Sequence, residues 1–305
     1  MSIKCFYHSG DLDGWCSGAI VKYKFPEAEL FPINYGDAFP WDEIKKDDIV
    51  YMVDFSLKPL EMDKLARFLG LKDCRASDNF FWFDHHKGII EDMEALKILP
   101  NGCWIRGYRQ TGVAACELTW RYLFGSVVPD HIRLLSLYDV WQHNDVDFDW
   151  DNYIEPFQYG CKYKAKDPSR DWTFWNKFFG FSQSRPKEVL DFIHYLLDFG
   201  FPIKSYIEDR FESTLETKSF TIDWEGYKCL VVNSDPYIAN YMTRSQAFKG
   251  CDIAINFVNV KNQYWVVNLR AVSECIDLSV LAKKYGGGGH RLSAGFISNT
   301  LPFVR

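Results

Sequence analysis

The sequence predicts an α/β protein: an N-terminal parallel sheet with flanking helices, a helical linker, and a smaller C-terminal α+β domain. Short apolar runs, IKCFY, IVYMV and FFWF, recur through the first half. Their hydrophobicity is continuous rather than alternating, as in strands buried on both faces. The segments between them carry 3.6-residue periodicity, so helical crossovers join strands that lie parallel. From about residue 218 the pattern changes to successive strand-like runs with a single helix among them. A chain of 305 residues suits two domains.

Each element has its own signal. After IKCFY, WCSGAIVKYKF reads as a helix that Pro26 ends. IVYMV stops at Asp54, and PLEMDKLARFLG follows with Pro59 near its start and Gly70 at its end. FFWF stops at Asp84, and GVAACELTWRYLFG and PDHIRLLSLYDVWQH are helical by period. Residues 144–185 are rich in Asp, Trp, Phe and Lys and show no clean period. The stretch from Arg185 to Phe220 reads as one or two helices interrupted at Gly200 and Pro202. These signals divide the chain into a catalytic domain over 1–190, a helical linker over 191–217 and a substrate-binding domain over 218–305. In the last, FTIDWEGYKCLVVN and CDIAINFVNVKNQYWVVNLRAV read as strands, DLSVLAKKYG as a helix and AGFIS as a final strand. Gly286 to Gly289, taken alone, read as a flexible loop.

Bulk properties exclude several classes. A net charge of −6 gives no basic field for long duplex nucleic acid. Apolar content of 47% and charged content of 25% describe a soluble globular protein, and most of its aromatic rings are expected in the core. The nine cysteines are odd in number and form no C-x-x-C pair. That argues against a disulfide framework or a zinc knuckle and for a reducing, cytoplasmic setting. MSIKCFYHSG has no secretory pattern. No apolar run approaches the roughly 20 residues that span a bilayer, so no membrane partner is expected. A homo-oligomer is left open.

The acidic residues carry the functional signal. His8, Asp11 and Asp13 follow the first strand, Asp54 closes the second apolar run, and Asp84, His85 and His86 close the third. In a parallel sheet all strands end on one edge, and open α/β sheets bind ligands there. Residues distant in sequence are therefore expected to converge. One shared cation, or two, would neutralise carboxylates that otherwise repel. Asp11 and Asp13, in a loop curling around metal, could each serve a different ion, and Asp54 could bridge both. Such ions sit roughly 3.5–4 Å apart and clamp a phosphoryl group and its attacking water. Mixed Asp and His ligation favours Mn²⁺, with Mg²⁺ the second candidate. A lone D-x-D is usually a solvated loop, and adjacent histidines are often only polar. Their conjunction at several strand ends is what points to metal.

These motifs resemble the DHH phosphoesterase superfamily, in the branch with a C-terminal DHHA1 domain. HSGDLDG, MVDFS, FDHHKG and LLSLYDVWQ, with Asp139, resemble its four N-terminal motifs. YGGGGHRLSAGF resembles the glycine-rich DHHA1 signature. The match covers both ends of the chain in the family's order, with two residues, Ser9 and Gly10, between His8 and Asp11 and with Ser293 where Ala is common. The resemblance implies that His8 and Asp11 ligate one divalent cation, that Asp13, His85 and Asp139 ligate a second, and that Asp54 bridges them. It implies that Asp84 orients a histidine, that His86 contacts the substrate phosphate, and that Arg270, Gly287, Gly288, Gly289 and His290 hold the rest of the substrate. The implied protein is a metal-dependent phosphohydrolase acting on short oligonucleotides, linear or cyclic dinucleotides, or 3′-phosphoadenosine phosphate. The alternatives are polyphosphate or pyrophosphate hydrolysis, or a nucleotide-binding sensor without turnover. No motif explains residues 144–215.

Overall fold

A computed structural model describes residues 1–70, 78–95, 105–180, 186–234 and 238–303. The chain divides into two compact units, Met1–Ile203 and Lys204–Arg305.

The first unit is built on a parallel sheet of β1 (Ile3–His8), β2 (Glu29–Ile33), β3 (Ile49–Val53) and β4 (Phe80–Phe83), in the order β2-β1-β3-β4. Alternate residues enter opposite cores, as strand geometry requires. Phe6, Val50, Met52, Phe80 and Trp82 pack with Met62, Leu65 and Ala66 of α2 (Pro59–Phe68). Cys5, Tyr7, Tyr51, Val53 and Phe83 face the other way, with Val21 of α1 (Leu12–Lys24). The register pairs Tyr7 with Val53 and Val53 with Phe83. The next residues, His8, Asp54 and Asp84, therefore form a row across the sheet edge, one strand spacing of about 4.8 Å apart.

β2 and α1 differ from the sequence reading. The sequence analysis names no element at Glu29–Ile33; Pro32 is tolerated inside β2 because β2 is an edge strand. α1 begins at Leu12 rather than Trp15, with Asp11 as its N-cap, so Asp13 stands in a helical first turn and not in a loop. α3 (Lys87–Ala95) follows β4.

Beside α1 lie α4 (Ala115–Phe124), α5 (Asp130–Asp139), α6 (Glu155–Lys164) and α7 (Thr173–Gly180). The aperiodic segment becomes core: Trp150, Phe157, Cys161, Trp175, Phe178 and Phe179 are buried with Leu12, Cys16, Ala19 and Ile20 of α1. Short helices carrying large rings need no long amphipathic stripe. Tyr7 Oη donates to Asp167 Oδ1 (2.5 Å), tying the α6–α7 connection to β1.

α8 (Pro186–Lys218) contains residues 191–217 and continues through Pro202 instead of breaking. Gly200 serves packing: a Cβ there would stand 1.7 Å from Pro156 O, just as one on Gly160 would stand 2.0 Å from Leu196 O. These close approaches clamp α6 against α8.

The second unit has a six-stranded sheet ordered β5-β6-β7-β8-β10-β9, comprising β5 (Ser219–Trp224), β6 (Tyr227–Asn233), β7 (Ile253–Val260), β8 (Tyr264–Arg270), β9 (Gly288–Gly289) and β10 (Ser293–Ser298). β6 and β7 are parallel, and the other pairs are antiparallel. Glu225 and Gly226, with φ of 55° and 83°, make the tight hairpin turn that splits FTIDWEGYKCLVVN into two strands. Trp224, Val231, Ile255, Val267 and Leu269 share a core with Leu278 and Leu281 of α10 (Leu278–Lys284); α9 (Ala239–Met242) precedes β7. The seven described cysteines are free thiols. Among the described residues no helix is long and apolar enough to cross a membrane.

Candidate metal centre

Eight residues singled out in the sequence meet at the edge of the first sheet. Asp54 is central. Its φ of 52° is left-handed, a conformation that Asp tolerates better than most side chains. Its backbone N–H donates to Phe83 O (2.9 Å). Its carboxylate looks both ways. Oδ2 lies 3.6 Å from His8 Nδ1, and His8 Nδ1 lies 3.1 Å from Asp11 Oδ2. Oδ1 lies 3.3 Å from His85 Nε2, which is also 3.5 Å from Asp13 Oδ2 and 3.2 Å from Asp139 Oδ2. His8, Asp11 and Asp54 thus form one ligand-like group, and Asp13, His85 and Asp139 a second. Within each group the candidate atoms lie within 4.8 Å of one another.

Local structure aims each side chain. His8 ends β1, and its ring covers Gly10, where a Cβ would stand 2.9 Å from His8 Nε2. Asp11 Oδ1 accepts from Gly14 N (3.0 Å) as the cap of α1, leaving Oδ2 toward His8. Asp13 is held by α4. The N-cap of α4 is Ala114, which has no capping side chain, and the orphan N–H groups of Ala115 and Cys116 donate to Asp13 Oδ2 (2.9 Å) and Oδ1 (2.7 Å). Asp139 closes α5.

Asp84 organises the two histidines from beneath. It is fully buried. Its Oδ1 accepts from His85 N (2.8 Å) and His86 N (3.0 Å) and faces His86 Nδ1 (2.8 Å), while Oδ2 accepts from Trp82 Nε1 (3.1 Å). The His86 ring is thereby fixed, with Nδ1 facing a carboxylate.

Charge crowding is unequal across the group. Burial, with Asp54 and Asp139 nearby, pushes the Asp13 carboxyl well above the ordinary range. Burial pushes Asp139 up to about 7, against the attraction of His85. For Asp54, burial is outweighed by His8 and His85, which hold its carboxyl below the ordinary range. Burial likewise opposes but does not prevent a rise in His8, to about 11, beside Asp11 and Asp54. Protons here do the neutralising that a cation could do. Among the described residues Asp54 Oδ1 is buried with no aligned hydrogen-bond donor, although His85 Nε2 is only 3.3 Å away. A carboxylate oxygen left so, among further carboxylates and imidazoles, fits divalent cations taking oxygen and nitrogen ligands.

Arg270, Gly287, Gly288, Gly289 and His290 lie in the second unit. Arg270 ends β8 opposite Ser293, and His290 N donates to Ser293 O (2.7 Å). Ser293 is thus the pivot between them. The glycine run is not a free loop: Gly288 and Gly289 pair with Gly295 and Ala294. A Cβ on Gly287 would stand 2.0 Å from Gly295 O, whereas one on Gly288 would meet nothing within 4 Å.

Sequence reading missed the amides of Ala115 and Cys116, whose only signal is a helix start without a capping residue. It also missed Tyr35, whose ring lies near those of His8 (5.6 Å) and His86 (6.0 Å).

No protein-family profile matches the chain. An uncharacterized protein, R106, of Acanthamoeba polyphaga mimivirus is 24% identical over 275 residues, covering 87% of this chain and 57% of that protein, so the chain spans little more than half the length of this curated relative. Among solved structures, the pGpG-specific phosphodiesterase PggH from Vibrio cholerae is similar at 13% identity and a TM-score of 0.45, over 97% of this chain and 92% of the other. An exopolyphosphatase-related protein from Bacteroides fragilis is similar at 12% identity and a TM-score of 0.41, over 99% and 87%. These are distant likenesses, and the chemistry rests on the side chains at the sheet edge.

Proposed function

We propose that the protein is a metal-dependent phosphohydrolase of the DHH type, acting on phosphate esters of short nucleotides. The observation that carries this is the Asp54 carboxylate, whose two oxygens each face a different His–Asp group. His8, Asp11 and Asp54 would hold one divalent cation, and Asp13, His85, Asp139 and Asp54 another. When bound, the cations supply charge neutralisation for phosphoryl oxygens and acidify a water toward neutral pH. Four carboxylates against two divalent ions leave the centre near neutral, so it can accept an anion. Asp84 would hold His86 for contact with that anion. Arg270 and His290, either side of Ser293, would hold a second phosphate or a base, with the glycine run beside them.

The deciding experiment is a Mn²⁺-supported hydrolysis panel of linear and cyclic dinucleotides, 3′-phosphoadenosine phosphate, longer RNA, polyphosphate and pyrophosphate. Preferred turnover of dinucleotides is expected. Preference for polyphosphate or pyrophosphate would move the assignment to that hydrolase class. Nucleotide binding without turnover of any substrate would make the protein a sensor.

Metal uptake should release protons. Folded-state values of His8 and His85 are raised, so their imidazolium–carboxylate pairs stabilise the metal-free fold fully below the unfolded pKa of about 6.5. That contribution is lost as pH rises through the folded values, about 11 for His8. Ligation needs neutral imidazole and ionised carboxylates, so loading at pH 7 is expected to release the protons of His8 and His85 together with those held by Asp13 and Asp139, and to strengthen as pH rises. Calorimetry in buffers of different ionisation heat measures this, and loading without proton release would remove His8 and His85 as ligands.

The glycines separate folding from binding. Gly288→Ala should leave thermal stability within about 0.5 kcal/mol, since its Cβ enters open space, yet raise KM for a dinucleotide. Gly287→Ala should destabilise the second unit. An unchanged KM in Gly288→Ala would remove the glycine run from the substrate site.

A further inference from the structure

Residues 144–185 carry no motif, yet α6 from that segment runs beside α1, with Phe157 and Cys161 in one core with Leu12 and Cys16. Next to Cys161 stands Lys162, half-buried, its Nζ 4.4 Å from the centroid of the Trp15 ring. Trp15 is one turn beyond Asp11, whose carbonyl accepts its N–H (3.3 Å). The indole Nε1 donates to Ser9 O (2.8 Å). The ring therefore pins the Ser9–Gly10 connection between His8 and Asp11, and it carries the ammonium beside that connection.

Among the described residues Lys162 has no fixed anion: it has no hydrogen-bond acceptor, and no carboxylate lies within 4.0 Å of it. Asp11 is the acid whose charge reaches it, against the burial that disfavours the ammonium. Asp11 Oδ1 is already taken by Gly14 N, and Oδ2 turns to His8. The Asp11 side chain is 40% exposed, so the space beside it opens to solvent. The helix that carries Lys162 is held in place: Gly160 is locked against Leu196 O, and Tyr7 Oη donates to Asp167 just beyond the end of α6. Burying an ammonium is costly, and the indole face offsets that cost only in part. A phosphate oxygen arriving beside Asp11 would remove that cost, and a compact point charge suits it.

We propose that Lys162 is a substrate-binding residue that takes a non-bridging oxygen of the phosphoryl group seated at the His8–Asp11 end of the centre. The proposal rests on the phosphohydrolase reading above and gives the motif-free segment a part in it. The ligand class is a phosphate mono- or diester anion. Unlike Arg270, Lys162 would act on the reacting group, so every substrate should feel its loss, including a small aryl phosphate.

The test uses the full chain loaded with Mn²⁺ and inorganic phosphate as the probe, followed by calorimetry. Lys162→Met keeps the apolar stem over Trp15 and removes the charge; it should weaken phosphate binding by about tenfold or more. Lys162→Arg should restore most of the affinity. Mn²⁺ affinity should stay level or rise in Lys162→Met, because a positive charge near Asp11 is gone. Equal phosphate affinity in the wild type and Lys162→Met, or no phosphate binding by the wild type, overturns the proposal. A fall in Mn²⁺ affinity matching that for phosphate also overturns it, because Lys162 would then be a prop for Trp15 and Asp11. Ester hydrolysis by the wild type is read separately. Turnover with Lys162→Met unaffected would sink Lys162 alone. Phosphate binding through Lys162 without hydrolysis of any ester would sink the enzymatic reading alone.

Discussion

Asp54→Asn is expected to lower kcat by roughly three orders of magnitude, equivalent to about 4 kcal/mol of transition-state stabilisation. The carboxamide is nearly the same size, so the row His8–Asp54–Asp84 keeps its backbone positions. What changes is charge and donor character. The Asp54 oxygens face His8 at 3.6 Å and His85 at 3.3 Å, and an amide would offer one weak ligand oxygen and one N–H group to those directions. Bound Mn²⁺ should fall from two ions per chain to one or fewer, measured by metal analysis after gel filtration. Circular dichroism should show the fold retained. Turnover within tenfold of the wild type, with both ions kept, would show that Asp54 does not bridge.

The site was legible where chemistry coincides with the end of an apolar run. IVYMV and FFWF stop abruptly at acids, and a parallel sheet places such ends on one edge, so Asp54, Asp84 and His85 needed no tertiary information. Asp139 was legible only through its motif, because a helical acid between apolar neighbours has many ordinary explanations. The cap on α4 was not legible: the partner of Ala115 and Cys116 is Asp13, 102 and 103 residues earlier in the chain. β2, a five-residue edge strand with Pro32 inside it, carries little strand signal of its own. Lys162 was hidden differently. Nothing in EPFQYGCKYK marks one lysine from another until packing sets α6 against α1 and the Trp15 ring lies beneath it. The glycine run, taken alone, is ambiguous because close backbone approach and flexibility call for the same residue; the pairing of Gly288 and Gly289 with β10 tells them apart.

Gly14→Ala is the second substitution with a large expected effect, and it touches no ligand atom. Gly14 stands in the first turn of α1, where a Cβ would lie 1.9 Å from His8 O, 2.7 Å from His8 C and 2.9 Å from His8 Cβ. Two of these are main-chain atoms of β1, so no rotamer change relieves the overlap. Helix propensity favours alanine by about 1 kcal/mol. Overlap with backbone in a packed core costs roughly 3 kcal/mol or more, so the overlap wins and a net loss of about 2 kcal/mol or more is expected in urea unfolding with chelator present. The damage should be directional. Relief requires the start of α1 to back away from the end of β1, and those two pieces carry Asp11 and His8. The His8–Asp11 group should therefore open before the Asp13–His85–Asp139 group, since Asp13 remains tied to the amides of α4. Under conditions where circular dichroism shows a folded chain, Mn²⁺ titration should show one site lost or greatly weakened and the other retained, with turnover reduced by more than the unfolded fraction explains. Wild-type stability together with two intact Mn²⁺ sites would mean that β1 and α1 can separate without cost, and the close approach at Gly14 would then have no part in building the centre.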